Sequence, residues 1–162
     1  MEQLQNFVKI IVFLPLIGAI AAGLFPKVVG RVGAHLVTTG LMSISAILAI
    51  YVFVGFINGT YKPIDMTIYL WGITGGIKFQ IGFLIDKLTV IMLMVVTFVS
   101  FMVHIYTIGY MKDDSGYQRF FSYISLFTFA MLMLVSANNL LQLFFGWEAV
   151  GLMSYLLIGF WF

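Results

Sequence analysis

Residues 86–110 read DKLTVIMLMVVTFVSFMVHIYTIGY: a charged pair, Asp86-Lys87, followed by 23 residues with no charge and one histidine, His104. A hydrocarbon core about 30 Å thick takes about 20 apolar residues of helix, so this stretch predicts a membrane-spanning helix over 87–110. Composition agrees, with 62% of the 162 residues hydrophobic, 17% aromatic and only 9% charged. Fourteen formal charges cannot coat a water-soluble particle of this size, which excludes a cytosolic domain.

Working outward, four more runs of similar length stand between charge clusters and turns. They predict helices over 7–25, 35–57, 120–137 and 139–162. In the first, Lys9 can reach an interface, Pro15 is expected to kink the helix and Pro26 to end it. That run also offers a small-residue cleavage pattern at Ala19-Ile20-Ala21, but Glu2 offsets Lys9 and four spans follow, favouring a true helix over a signal peptide. The second run ends at the turn pair Asn58-Gly59, and the last two are joined by SANN, residues 136–139, so they form an antiparallel pair. The fold class is therefore an all-α polytopic membrane protein of about five spans.

The connection of residues 58–85 is the long piece that does not span. Within it Ile77-Lys78-Phe79-Gln80-Ile81 alternates apolar and polar, and Gly75-Gly76 precedes it, predicting a β-hairpin over about 66–82, with an irregular interfacial loop as the alternative. Lysines and arginines number four on each side: Lys9, Lys62, Lys78 and Lys87 against Lys27, Arg31, Lys112 and Arg119. Charge alone does not orient the chain.

Chemistry is sparse. Without cysteine there is no disulfide, iron–sulfur cluster or thiolate zinc site, and His35 and His104 lie in different apolar runs, so neither a metal site nor a haem is expected. No glycine-rich dinucleotide fingerprint follows a strand, and a net charge of +2 is too small and scattered for nucleic acid.

One residue stands out. Of six acidic residues, Glu2, Asp65, Asp86, Asp113 and Asp114 lie at ends or in connections, whereas Glu148 lies inside LLQLFFGWEAVGLMSYLL. A charge at the centre of a span costs about 2.5–3.5 kcal/mol on insertion scales, so either desolvation keeps the carboxyl protonated or a cation or file of water stabilises its anion. States one proton apart make Glu148 the candidate proton relay; the alternative is a neutral carboxyl that joins helices. Gly151 and Tyr155 share its helical face, and Asn139 lies opposite, as a cap or turn residue. His104, a secondary candidate, reads first as an interfacial aromatic-like residue, and His35 as ordinary. Ser122, Ser125 and Thr128, at helical spacing, read as bonding carbonyls or neighbouring helices rather than lining a channel. No lysine or arginine lies at the depth of Glu148. The final LLIGFWF carries no charged anchor, which leads to the expectation of an N-terminal fragment of a longer polytopic chain.

Asn138-Asn139-Leu140, Gly146-Trp147-Glu148 and the following VGLMSYLLIGFW closely resemble the fifth-helix region of the L-type subunit of bacterial NADH-quinone oxidoreductase, subunit 5 in mitochondrial respiratory complex I. Asp86-Lys87-Leu88-Thr89, Tyr110-Met111 and GYQRFF at 116–121 resemble it too. The resemblance covers essentially the whole chain and is most specific from Asp86 onward. The wider group includes subunits of multisubunit cation/proton antiporters and membrane-bound hydrogenases, which share a glutamate here, but GWE with VGLMSYLLIGFW favours the L type. A chloroplast-type homologue fits less well at the glycine before Trp147.

The resemblance implies a chain of about 16 helices at the distal end of a membrane arm, in the bacterial plasma membrane or, as the alternative, the mitochondrial inner membrane. Such a subunit translocates protons while NADH, FMN, iron–sulfur clusters and quinone act in partner subunits, and it holds no cofactor itself. It implies a lysine from a later helix as the partner of Glu148. It also implies a periplasmic hairpin and N-terminus, with the loops at 26–34 and 112–119 cytoplasmic.

Overall fold

The computed structural model describes residues 2–161; the side chain of Ile77 lies outside the described set. Five helices, α1 (Glu2–Leu24), α2 (Pro26–Ile57), α3 (Lys87–Tyr110), α4 (Tyr117–Val135) and α5 (Leu140–Ile158), are each long and apolar enough to cross a membrane. The two strands β1 (Ile64–Thr74) and β2 (Ile77–Ile85) stand between α2 and α3.

Helix α4 is the hub, packing on every other helix, while α5 packs on α4 and touches β2. In lipid there is little hydrophobic drive between helices, and close packing comes from small residues and side-chain hydroxyls bonding across. Both devices are present. Ser122 donates to the Ala19 carbonyl at 2.8 Å, joining α4 to α1. Gly146 of α5 lies so close to Leu134 that a β-carbon there would stand 2.9 Å from the Leu134 Cα.

Helix α1 runs unbroken through Pro15. Proline has no N–H, so the Ile11 carbonyl one turn back has no helical donor, and the Ser45 hydroxyl of α2 bonds it instead at 2.7 Å.

Two boundaries differ from expectation. The segment 26–34, read as a loop, is helical from Pro26: a proline at the first position is pre-set for the helix and only costs an N–H that has no partner there. The path breaks once, at Gly30, whose φ of +66° and ψ of −177° are open to glycine alone, and then resumes toward Ile57. At the other end α5 stops at Ile158 and a turn follows through Trp161, because Phe160 folds back to pack with Met111, Tyr117 and Phe121; Phe162 lies outside the described residues.

The connection between α2 and α3 is a two-stranded antiparallel hairpin, longer than its expected 66–82, with Thr74 paired to Ile77 across Gly75-Gly76. Both glycines have positive φ, +59° and +84°, as the tight turn requires. Two register shifts, between Thr67 and Tyr69 and between Leu70 and Gly72, twist β1. The hairpin closes over the α4–α5 turn: Leu84 N–H donates to the Ser136 carbonyl at 2.9 Å, Asn138 bonds Asp65 at 2.8 Å and Asn139 bonds the Gln80 carbonyl at 3.1 Å. At the opposite end, Arg31 donates to the carbonyls of Met111, Lys112 and Asp114, placing the 26–34 and 112–119 segments side by side.

Candidate functional site

The orientation of α5 follows from its first turn. The Asn139 side chain caps it, accepting the Gln142 N–H at 2.8 Å. Gln142 then faces inward, where its Oε1 accepts the Gly82 N–H at 2.9 Å and its Nε2 donates to the Met133 carbonyl at 3.3 Å. Gln142, Gly146 and Met153 form the buried face against α4 and the hairpin. At about 100° per residue, Glu148 is turned about 200° from Gly146.

Glu148 is the ninth of nineteen residues in α5 and is exposed on its outer face, with no hydrogen-bond or ion-pair partner among the described residues. Gly151 and Tyr155 are exposed on the same face, and nothing lies within 4 Å of where a Gly151 β-carbon would stand. The carboxyl thus sits at mid-helix beside open space, on the side of the bundle that these five helices leave uncovered.

His104 is fully buried between α3 and α4, with Nδ1 2.7 Å from the Ser100 carbonyl and Nε2 2.9 Å from the Ser125 hydroxyl. A carbonyl can only accept, so Nδ1 carries the proton and Nε2 accepts from Ser125 in the neutral ring. Thr128 donates to the Ile124 carbonyl at 2.9 Å, leaving the Ser100 hydroxyl to donate to Thr128 at 2.5 Å. Every polar hydrogen in the cluster has an acceptor. That closed set of hydrogen bonds joins α3 to α4 as a clasp.

The structure does not bring Glu148 and His104 together; α4 carries the contacts to both of their helices. His35, within α2, is 2.9 Å through Nδ1 from the Tyr117 hydroxyl. Sequence reasoning did not single out Ser100 or Gln142. Their signals were a serine one turn before His104 and an amide three residues after the capping Asn139. No group of three or more His, Cys, Asp or Glu among the described residues could hold a metal ion.

Two half-buried carboxyls at helix ends are electrostatically tuned. Asp86 is held below the usual carboxylate range by the Thr89 N–H that it caps, at 2.8 Å. Asp114 is lowered first by the Trp161 indole N–H at 2.8 Å and then by the Gly116 N–H.

The model of the N-terminus of NADH-ubiquinone oxidoreductase (complex I) chain 5 matches residues 71–121, from mid-β1 into α4. NADH-quinone oxidoreductase subunit L of Neisseria meningitidis is 60% identical over 154 residues, covering 94% of this chain. The chain belongs to the subunit L/chain 5 family. Within that family, subunit L of Rickettsia felis is 48% identical over 98% of the chain, and NADH-ubiquinone oxidoreductase chain 5 of Arabidopsis thaliana 48% over 94%. The chain spans about a quarter of the length of these relatives: 23% of the Neisseria and Arabidopsis proteins and 24% of the Rickettsia one.

Proposed function

We propose that this chain supplies the first helices of a proton-translocating membrane-arm subunit of an NADH:quinone oxidoreductase, in the bacterial plasma membrane, and that Glu148 is its proton-carrying group. Redox chemistry, with NADH, FMN, iron–sulfur clusters and quinone, belongs to partner subunits in this reading. The supporting observation is the place of Glu148: mid-span, outward-facing and unpartnered beside the open space at Gly151. A carboxyl facing hydrocarbon there is costly, so its face calls for a cover that brings a cation or water.

A lysine carried by a further helix would supply that charge. With its ammonium close, the Glu148 anion is stabilised and its proton leaves; with the two drawn apart, the desolvated carboxylate takes a proton up. The movement of one helix past α5 then alternates the two states.

NADH-driven proton pumping in inverted membrane vesicles, compared between the assembled enzyme and its Glu148→Gln variant, tests this reading. Loss of most pumping with assembly intact is expected. Unchanged protons per electron in the variant would overturn it.

A further inference from the structure

At the end of the bundle where Arg31 meets the 112–114 segment, a cavity of about 470 Å³ opens between α2 and α3, with Arg31, Val32, His35, Ile108, Lys112 and Tyr117 in its wall. We propose that this cavity holds the phosphate of an anionic phospholipid, with Arg31 and Lys112 at the headgroup and an acyl chain lying along α2 and α3.

Charge is the first reason. One terminal nitrogen of Arg31 is spent on three backbone carbonyls, and its guanidinium stacks on the Tyr117 ring 4.7 Å away, which holds the group in place while leaving its other N–H donors open to a ligand. The Lys112 ammonium is exposed and bonds nothing among the described residues. Asp114, whose charge reaches Arg31, is engaged by Trp161 and Gly116, and Asp113 is exposed beside Lys112. Arg31 is thus held in place in the same wall as Lys112, while Asp114 is turned to other donors.

The wall supplies the second reason. Val32 and Leu36 are four residues apart on α2 and each 62% exposed, and Ile105 and Ile108 are three apart on α3. These spacings stack side chains along the helix axes, so the cavity continues as an apolar stripe toward the middle of the span. A free phosphate has no use for that stripe, whereas an acyl chain covers it.

The level of the cavity is the third. Tyr106 and Tyr110 stack at 5.7 Å between centroids and are exposed at the same end of α3, with the exposed Trp161 ring against Tyr110. Exposed Tyr and Trp gather at the headgroup layer, where basic pockets between helices take lipid phosphates.

The test is photo-labelling of the intact protein in phosphatidylcholine vesicles containing phosphatidylglycerol with a diazirine on its acyl chain, the adducts being mapped by peptide mass. Labels are expected around Val32, Leu36 and Ile105, reduced about fivefold by Lys112→Gln, as the loss of about one cation's attraction implies. Arg31→Lys, which keeps the charge, retains them. The Lys112 side chain makes no internal bond, so its loss should leave the fold intact. Unlabelled phosphatidylglycerol should compete and millimolar inorganic phosphate should not. Equal labelling by a phosphatidylcholine probe, indifference to Lys112→Gln, or competition by inorganic phosphate would each overturn the proposal.

Discussion

Ser45 of α2 donates its hydroxyl to the carbonyl of Ile11 in α1 at 2.7 Å, the carbonyl that Pro15 deprives of its helical partner. The proline creates an unbonded acceptor within the hydrocarbon layer, and the serine on the neighbouring helix satisfies it. Ser45→Ala should therefore destabilise the α1–α2 pair by about 1 kcal/mol, near the middle of the range for hydrogen bonds within membranes. In the Pro15→Ala background the Ile11 carbonyl regains an N–H, and the same serine change should cost markedly less. A double-mutant cycle by unfolding in mixed micelles measures both; equal costs in the two backgrounds would show that the bond does not answer the proline.

Gly146 is a contact point and not a hinge. A β-carbon there would meet the Leu134 backbone at 2.9 Å, too close for any real side chain. Gly146→Ala is expected to cost about 1–3 kcal/mol by overpacking and Gly146→Leu more. Cysteine cross-linking between α4 and α5 should show the two helices displaced.

The Asp86 carboxylate caps α3 through the Thr89 N–H. Its native affinity for a proton is lowered, so its contribution is present above the unfolded value of about 3.9 and is lost as pH falls through the native one. Asp86→Ala should destabilise by about 1 kcal/mol at neutral pH, with Asp86→Asn much milder because the amide oxygen still caps. The gap between the wild type and Asp86→Asn should begin to narrow below about pH 4 and vanish only as pH falls through the lowered native value, in unfolding titrations.

For His104, the closed bonding pattern with Ser100, Ser125 and Thr128 predicts one tautomer, protonated on Nδ1. Nitrogen-15 imidazole shifts of the labelled protein read this directly. Ser125→Ala leaves Nε2 buried without a donor and should cost about 1–3 kcal/mol. An Nε2-protonated ring, or a silent Ser125→Ala, would contradict the clasp.

Five spans and a hairpin were legible because each rests on a local signal: a run of about 20 apolar residues, or period-two alternation beside Gly75-Gly76. Helix ends were less so. The Pro26–Ala34 segment looked like a loop because proline and glycine are read as breakers, yet Pro26 begins α2 and Gly30 only bends its path. The last turn at Gly159–Trp161 depends on Phe160 reaching Met111 and Tyr117, contacts between residues more than 40 positions apart that no window reveals.

By itself the sequence determined that this stretch lies in a bilayer, where its five apolar spans fall and which carboxyl lies at mid-span, since charge and apolar length act locally on each helix. Only the tertiary structure decided which way each polar residue faces. His104, for which the sequence offered no reason to turn inward, is sealed between α3 and α4, where the Ser100 carbonyl and the Ser125 hydroxyl complete its hydrogen bonds. Glu148 is turned outward because Gln142 and Gly146 commit the opposite face of α5 to the hairpin and to Leu134. Rotation of a helix about its axis is set by what packs against it, and in a bilayer that is a matter of close approach and satisfied hydrogen bonds more than of burying apolar surface.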